Sequence, residues 1–125
     1  MAGQRRHHEN ARLRRRERDA GRRADEDVEF QRRFAAEITR LYPACPTARA
    51  EAIAEHAGLR GSGRVGRSAD GRALDERAIS LAVVASIRHE DTDHDDLLMS
   101  GTARADARTQ IEPAIDRVLA AWSAR

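Results

Sequence analysis

Large apolar side chains are spread very unevenly along this chain of 125 residues. After Met1, Leu13 is the only one among the first 24 residues. From Phe30 onward they return at spacings of three and four, as Phe30, Phe34, Ile38 and Leu41. That is the period of one helix face, so a core can begin only near Phe30. The preceding stretch cannot bury enough surface to fold by itself. The expected division is a disordered arm over 1–27, basic and then acidic, followed by a helical domain over 28–125. Arg and Glu pairs at helical spacing give the arm a capacity for transient helix only.

The rest of the chain continues the helical pattern. Pro43 ends the first helix, and Thr47 is placed to cap a second one carrying Ala50, Ile53, Ala54 and Ala57. Gly58 or Gly61 can close it in a left-handed conformation. Asp75 caps a third helix, with Leu74 and Ile79 placed as a hydrophobic staple. The run "AISLAVVASI" is apolar almost all round, and its alternation Ile79, Leu81, Val83, Ala85, Ile87 also fits a strand. The cap, the alanines and the lack of a partner strand favour a helix, the most buried of the set. Thr92 can cap a short helix bearing Leu97, Leu98 and Met99, closed by Gly101. The last segment places Ile111, Ile115, Val118, Leu119 and Trp122 on one face, with Pro113 marking a kink or a fresh start. The expectation is an all-α fold, a small bundle of about four to five helices. Aromatic residues are limited to Phe30, Phe34, Tyr42 and Trp122, so aliphatic side chains must build the core.

Charge is as uneven as hydropathy. Residues 1–24 hold nine arginines and three acids, a formal +6, whereas 25–125 hold fourteen arginines and eighteen acids, a formal −4. A basic arm of this kind is a candidate for contact with nucleic acid, with another polyanion or acidic partner, or with the "DEDVE" acids that follow it. There is no lysine, a pattern that coding bias explains better than chemistry, so arginine identity by itself says little. The longest apolar run, "LAVVA", is too short for a membrane span. The N-terminus has no apolar stretch of the secretory kind, and Glu9, Glu17 and Asp19 interrupt its arginines, against an organelle transit peptide. With a single cysteine, Cys45, no internal disulfide can form. A cytoplasmic protein that does not contact a membrane is expected.

Two segments carry candidate chemistry. "GLRGSGRVGRSADGR", residues 58–72, packs five glycines and four arginines together. Glycines let backbone N–H groups converge on an anion, and arginine adds charge-assisted hydrogen bonds. Gly61, Gly63 and Gly66, with Arg64 and Arg67, are the anion-binding candidates. The spacing matches a dinucleotide fingerprint, but a helix rather than a strand precedes it, and the Walker pattern is missing. The competing reading is an ordered connection whose arginines pair with acids of the same chain. The second segment is "RHEDTDHDD", residues 88–96. It has enough histidines and carboxylates for a metal, but after Asp91, Asp93 and Asp95 it lacks the glycine and the closing Glu of a calcium loop. No metal and no other cofactor is expected. Asp93, Asp95 and Asp96 also suit the first turn of a helix, where carboxylates complement the macrodipole. The catalytic candidates are His89, Thr92 and Asp95. Cys45 has no neighbouring His and no CxxC partner, which argues against a nucleophile.

"YPACPTARAEAIAEHA", "GSGRVGR", "LAVVASIRHEDTDHDDLL" and "ARADARTQIEPAIDRVLAAW" together resemble the DUF2293 family, a bacterial domain of unknown function with fungal relatives. The resemblance runs from Phe30 to Trp122. Its most telling pieces are the loop Gly61 to Arg67 and an R-H-x-x-T-x-Y-D-x-L-L pattern met by Arg88, His89, Thr92, Asp95, Leu97 and Leu98. His94 stands where that pattern has tyrosine. The resemblance implies a domain boundary and a residue shortlist, and no activity.

The loop 58–73 is formally +3 and the span 88–96 formally −4, so the two are expected to meet, leaving arginine capacity for an anion. The leading functional expectation is a non-enzymatic binding module for nucleic acid or another polyanion, acting through the arm and the Arg64/Arg67 loop. One alternative is a phosphoester- or nucleotide-handling enzyme with His89 as acid/base, Asp95 as its orienting partner or a metal ligand, and Arg64 and Arg67 on phosphate. The other is a protein-interaction domain using the acidic break at 88–96, which an exposed Trp122 and Leu119 would favour.

Overall fold

The computed structural model describes residues 2–61 and 74–125. It is all-α, and among the described residues there is no strand. The helices are α1 (Ala2–Leu41), α2 (Thr47–Gly61), α3 (Glu76–Glu90), α4 (His94–Met99) and α5 (Arg104–Ser123). The chain forms two compact units, Met1–Phe30 and Gln31–Arg125.

The first unit is helical from Ala2, where the sequence leads one to expect a disordered arm up to residue 27. Arg, Glu and Ala are strong helix formers whatever surrounds them, and Arg22 pairs with Asp19 one turn earlier at 3.1 Å. Side chains 6–29 are exposed apart from the partly covered Ala11 and Asp19, so this helix contains no core of its own.

In the second unit α1 continues to Leu41, burying Phe34 and Ile38 while Leu41 stays half-buried. Tyr42 N–H still donates to Ile38 O at 2.7 Å, after which Pro43 offers no N–H. The Tyr42–Pro46 turn is tied to the far end of the chain, where Ala44 N–H donates to Trp122 O at 2.9 Å. The Pro46 carbonyl accepts the Ala50 N–H at 3.0 Å, so α2 begins one residue ahead of a Thr47 cap. Ala50, Ile53 and Ala54 are buried. Gly58 lies inside α2 rather than closing it. A Cβ there would stand 3.1 Å from Gln31 Nε2, so glycine permits the close approach of α1 and α2.

Asp75 accepts the Arg77 N–H at 3.2 Å and starts α3 as expected. Ile79, Val83 and Ile87 are fully buried, one per turn. Leu81 is 61% exposed, so the alternating pattern is not the one the fold uses, and α3 is not buried all round. α3 packs against α2, α4 and α5, and is the central helix. Burying each of its three aliphatic side chains stabilises the fold by about 1.5–3 kcal/mol. Arg40 on α1 bridges to Glu76 at 2.7 Å and to Glu37 at 2.6 Å, and both contacts hold its guanidinium above its ordinary pKa.

α4 ends in a Schellman motif. Gly101, at φ 94°, donates to Leu98 O at 3.1 Å, and Thr102 donates to Leu97 O at 2.9 Å. α5 runs through Pro113 as one helix, so of the kink or fresh start expected there the fresh start does not occur. Its buried residues Ala107, Ile111, Ile115 and Trp122 face the core.

Candidate functional site

The α3–α4 break is built by one hydroxyl. α3 stops at Glu90, with the Asp91 N–H donating to Ile87 O at 2.8 Å. Thr92 Oγ1 donates back to Arg88 O and accepts the His94 N–H at 3.2 Å. It therefore satisfies a carbonyl at the end of α3 and an amide at the start of α4. Asp93 holds the formal cap position, but its side chain makes no capping bond.

That break brings the last turn of α3 onto the first turn of α4. His89 Nδ1 meets Asp95 Oδ2. The other Asp95 oxygen lies 3.7 Å from His94 Nδ1, so one carboxylate stands between two imidazoles. His89 Nε2 is 3.7 Å from Glu90 Oε1. With Asp95 on Nδ1, the His89 ring is oriented by a carboxylate and Nε2 is left on the Glu90 side, the kind of pairing that can fix an imidazole tautomer. His89 is mostly exposed, whereas His94 has a side chain only 12% exposed. Among the described residues, His94 Nε2 and Arg88 Nε are buried with no hydrogen-bond partner.

Of the candidates read from sequence, His89, Thr92 and Asp95 fall together at this break. Gly61 is the last residue of α2. Gly63, Arg64, Gly66 and Arg67 lie outside the described residues, and so does the expected meeting of the 58–73 loop with the acidic break. The Asp91-x-Asp93-x-Asp95 carboxylates do not share a target, because Asp91 is held by Arg49 and Asp95 by His89. Among the described residues no three His, Cys, Asp or Glu side chains are grouped to hold a metal ion.

Arg49 is the residue that sequence reading missed. From α2 it grips Asp91 with two nitrogens, at 3.2 and 2.7 Å, and donates to Ser86 Oγ at 3.1 Å. Hydrogen bonding to Asp91 holds its pKa above the ordinary value, against partial burial. No local signal marks it, since its partners stand 37 and 42 residues away. Nearby Cys45 is buried, which pushes its thiol pKa up, although Arg49 opposes the shift.

The sequence profile of the family described as "Uncharacterized conserved protein (DUF2293)" matches residues 37–123. The chain belongs to the DUF2293 family. The match begins within the last turns of α1 and runs to the end of α5, so it takes in the bundle and the α3–α4 break. No curated protein and no solved structure matches the chain. The description of DUF2293 assigns no reaction. None of the described helices is long and apolar enough to cross a membrane.

Proposed function

We propose that this DUF2293 protein is a polyanion-binding module, not an enzyme, and that nucleic acid is the polyanion. The observation that carries the reading is the charge of the first 24 residues, nine arginines against three acids, on a helix whose arginine side chains from Arg6 to Arg23 are exposed. Phosphate contacts from such a segment release condensed counterions, so binding of this kind is strong at low salt and falls steeply as salt rises. Arg64 and Arg67 are assigned a second contact within the glycine-rich loop. The rest of the chain is formally acidic, which leaves the arm and that loop as the sources of attraction.

The test is a titration of labelled oligonucleotides with the full chain, with a chain lacking residues 1–24, and with Arg64→Ala/Arg67→Ala, at two salt concentrations. Loss with the arm alone assigns binding to the arm. Additional weakening by the loop pair assigns Arg64 and Arg67 to the site. No binding by the full chain at low salt removes the reading. The shortened chain should keep its thermal midpoint, because none of the deleted side chains from Arg6 to Ala24 is buried, so lost binding is separable from unfolding.

The His89–Asp95 contact favours a second reading, a phosphoester- or nucleotide-handling site in which His89 Nε2 moves a proton and Asp95 orients the ring. Phosphoesterase activity that survives purification and disappears in His89→Ala would establish it. The protein-interaction reading, placed on the acidic break, does not gain the exposed Trp122 and Leu119 that would favour it, since Trp122 is 8% exposed and Leu119 half-buried.

A further inference from the structure

We infer that the basic half of α1 docks as a helix in the major groove of B-form duplex DNA, through a row formed by Arg12, Arg16 and Arg23. The inference rests on the polyanion reading above and names the polymer, the groove and the side of the helix. At 3.6 residues per turn these three positions fall within about 40° of one line along the helix. The row is about 16 Å long at the helical rise. All three side chains are exposed. The ion pair of this segment among the described residues is Arg22–Asp19, so that acid is engaged by an arginine outside the row. Glu9 lies one turn ahead of Arg12, and the row begins after it.

The chemistry selects among polyanions. A helix with its side chains is about 10–12 Å across, which the B-form major groove, about 12 Å wide, accepts. The A-form major groove of duplex RNA is too deep and narrow for it. Single strands are held largely by stacking bases on aromatic rings, and no Phe, Tyr or Trp precedes Phe30. An anionic membrane surface needs a broad apolar face opposite the charges. Between residues 2 and 29 the only large apolar side chains are Leu13 and Val28, fifteen residues apart, too few for such a face. Duplex DNA asks for a helical rod with a line of cations that can face the groove, and among the arginines that surround this helix Arg12, Arg16 and Arg23 supply that line.

The test uses the full chain and fluorescence anisotropy at several salt concentrations. The probes are a DNA duplex, its single strand, an RNA duplex of the same sequence, and phosphatidylserine-containing vesicles. Arg12→Ala/Arg16→Ala/Arg23→Ala is compared with Arg6→Ala/Arg14→Ala/Arg18→Ala, which removes the same charge from other positions. Alanine preserves helix, and circular dichroism checks that it does. Ala20→Pro breaks the helix without altering its charge. Duplex DNA should bind tightest. The row variant should weaken it about tenfold or more and flatten the salt slope by about 0.9 for each phosphate no longer neutralised. The charge-matched variant should weaken it severalfold less, and Ala20→Pro should also weaken it. Equal binding to the three nucleic acids, equal weakening by the two triple variants, or full binding by Ala20→Pro would overturn groove docking while the polyanion reading stands. Tighter binding to vesicles than to any nucleic acid, or no binding at all, would overturn both.

Discussion

The Arg49 guanidinium lies over the Trp122 ring, 5.0 Å from its centroid, while its nitrogens hold Asp91 and Ser86. One side chain on α2 thus joins the last turns of α3, the start of the α3–α4 break and the end of α5. Its planar fork satisfies the carboxylate at two points and stacks on the indole at the same time, which an ammonium cannot do. Trp122 in turn offers its carbonyl to the Tyr42–Pro46 turn.

Arg49→Ala should destabilise the protein by about 2 kcal/mol, because it leaves Asp91 without its partner in a partly covered site and uncovers the indole. Arg49→Lys should recover less than half of that loss. Thermal melts followed by circular dichroism measure both. A lysine variant as stable as wild type would mean that charge alone matters at this position.

Val83→Asp should abolish cooperative folding, since an unpaired carboxylate at a fully buried site costs several kcal/mol out of a total of about 5–15 kcal/mol. Leu81→Asp, two residues earlier on the exposed side, should change stability by no more than about 0.5 kcal/mol. The pair reads the periodicity of α3 directly. Equal damage from the two substitutions would contradict the helical burial pattern.

Thr92→Val keeps the shape of the side chain but removes the hydroxyl that serves both α3 and α4. A loss of about 1 kcal/mol is expected, with Thr92→Ser close to wild type. Amide exchange at His94 should accelerate in the valine variant. Unchanged protection at that amide would show that Thr92 does not hold the start of α4.

Cys45 should react slowly with alkylating reagents in the folded protein and quickly after denaturation, because burial both covers the thiol and raises its pKa. A raised thiol pKa contributes stability that is complete below the unfolded value and is lost as pH climbs through the folded one. Cys45→Ser should therefore reduce the loss of stability on the alkaline side. Equal alkylation rates for native and denatured protein would refute the burial assignment.

The sequence by itself determined the helices and their inner faces, because periodicity, caps and helix-ending residues act within one or two turns. The Asp75 cap, the Gly101 closure and the apolar period of α5 are local in this sense, and so was the clustering of His89, Thr92 and Asp95, which lie within seven residues. The family was legible for the same reason. In the arm, the lack of apolar residues leads to an expectation of disorder with transient helix only, whereas the backbone is helical from Ala2, as the local propensity of Arg, Glu and Ala allows. Tertiary structure alone decided how much of α3 would be covered, since Leu81 and Val83 are both apolar and only packing separates an exposed residue from a buried one. It also decided the role of Arg49. Nothing beside Arg49 in the chain marks it, and its aromatic and carboxylate partners come within reach only when α2, α3 and α5 close on one another.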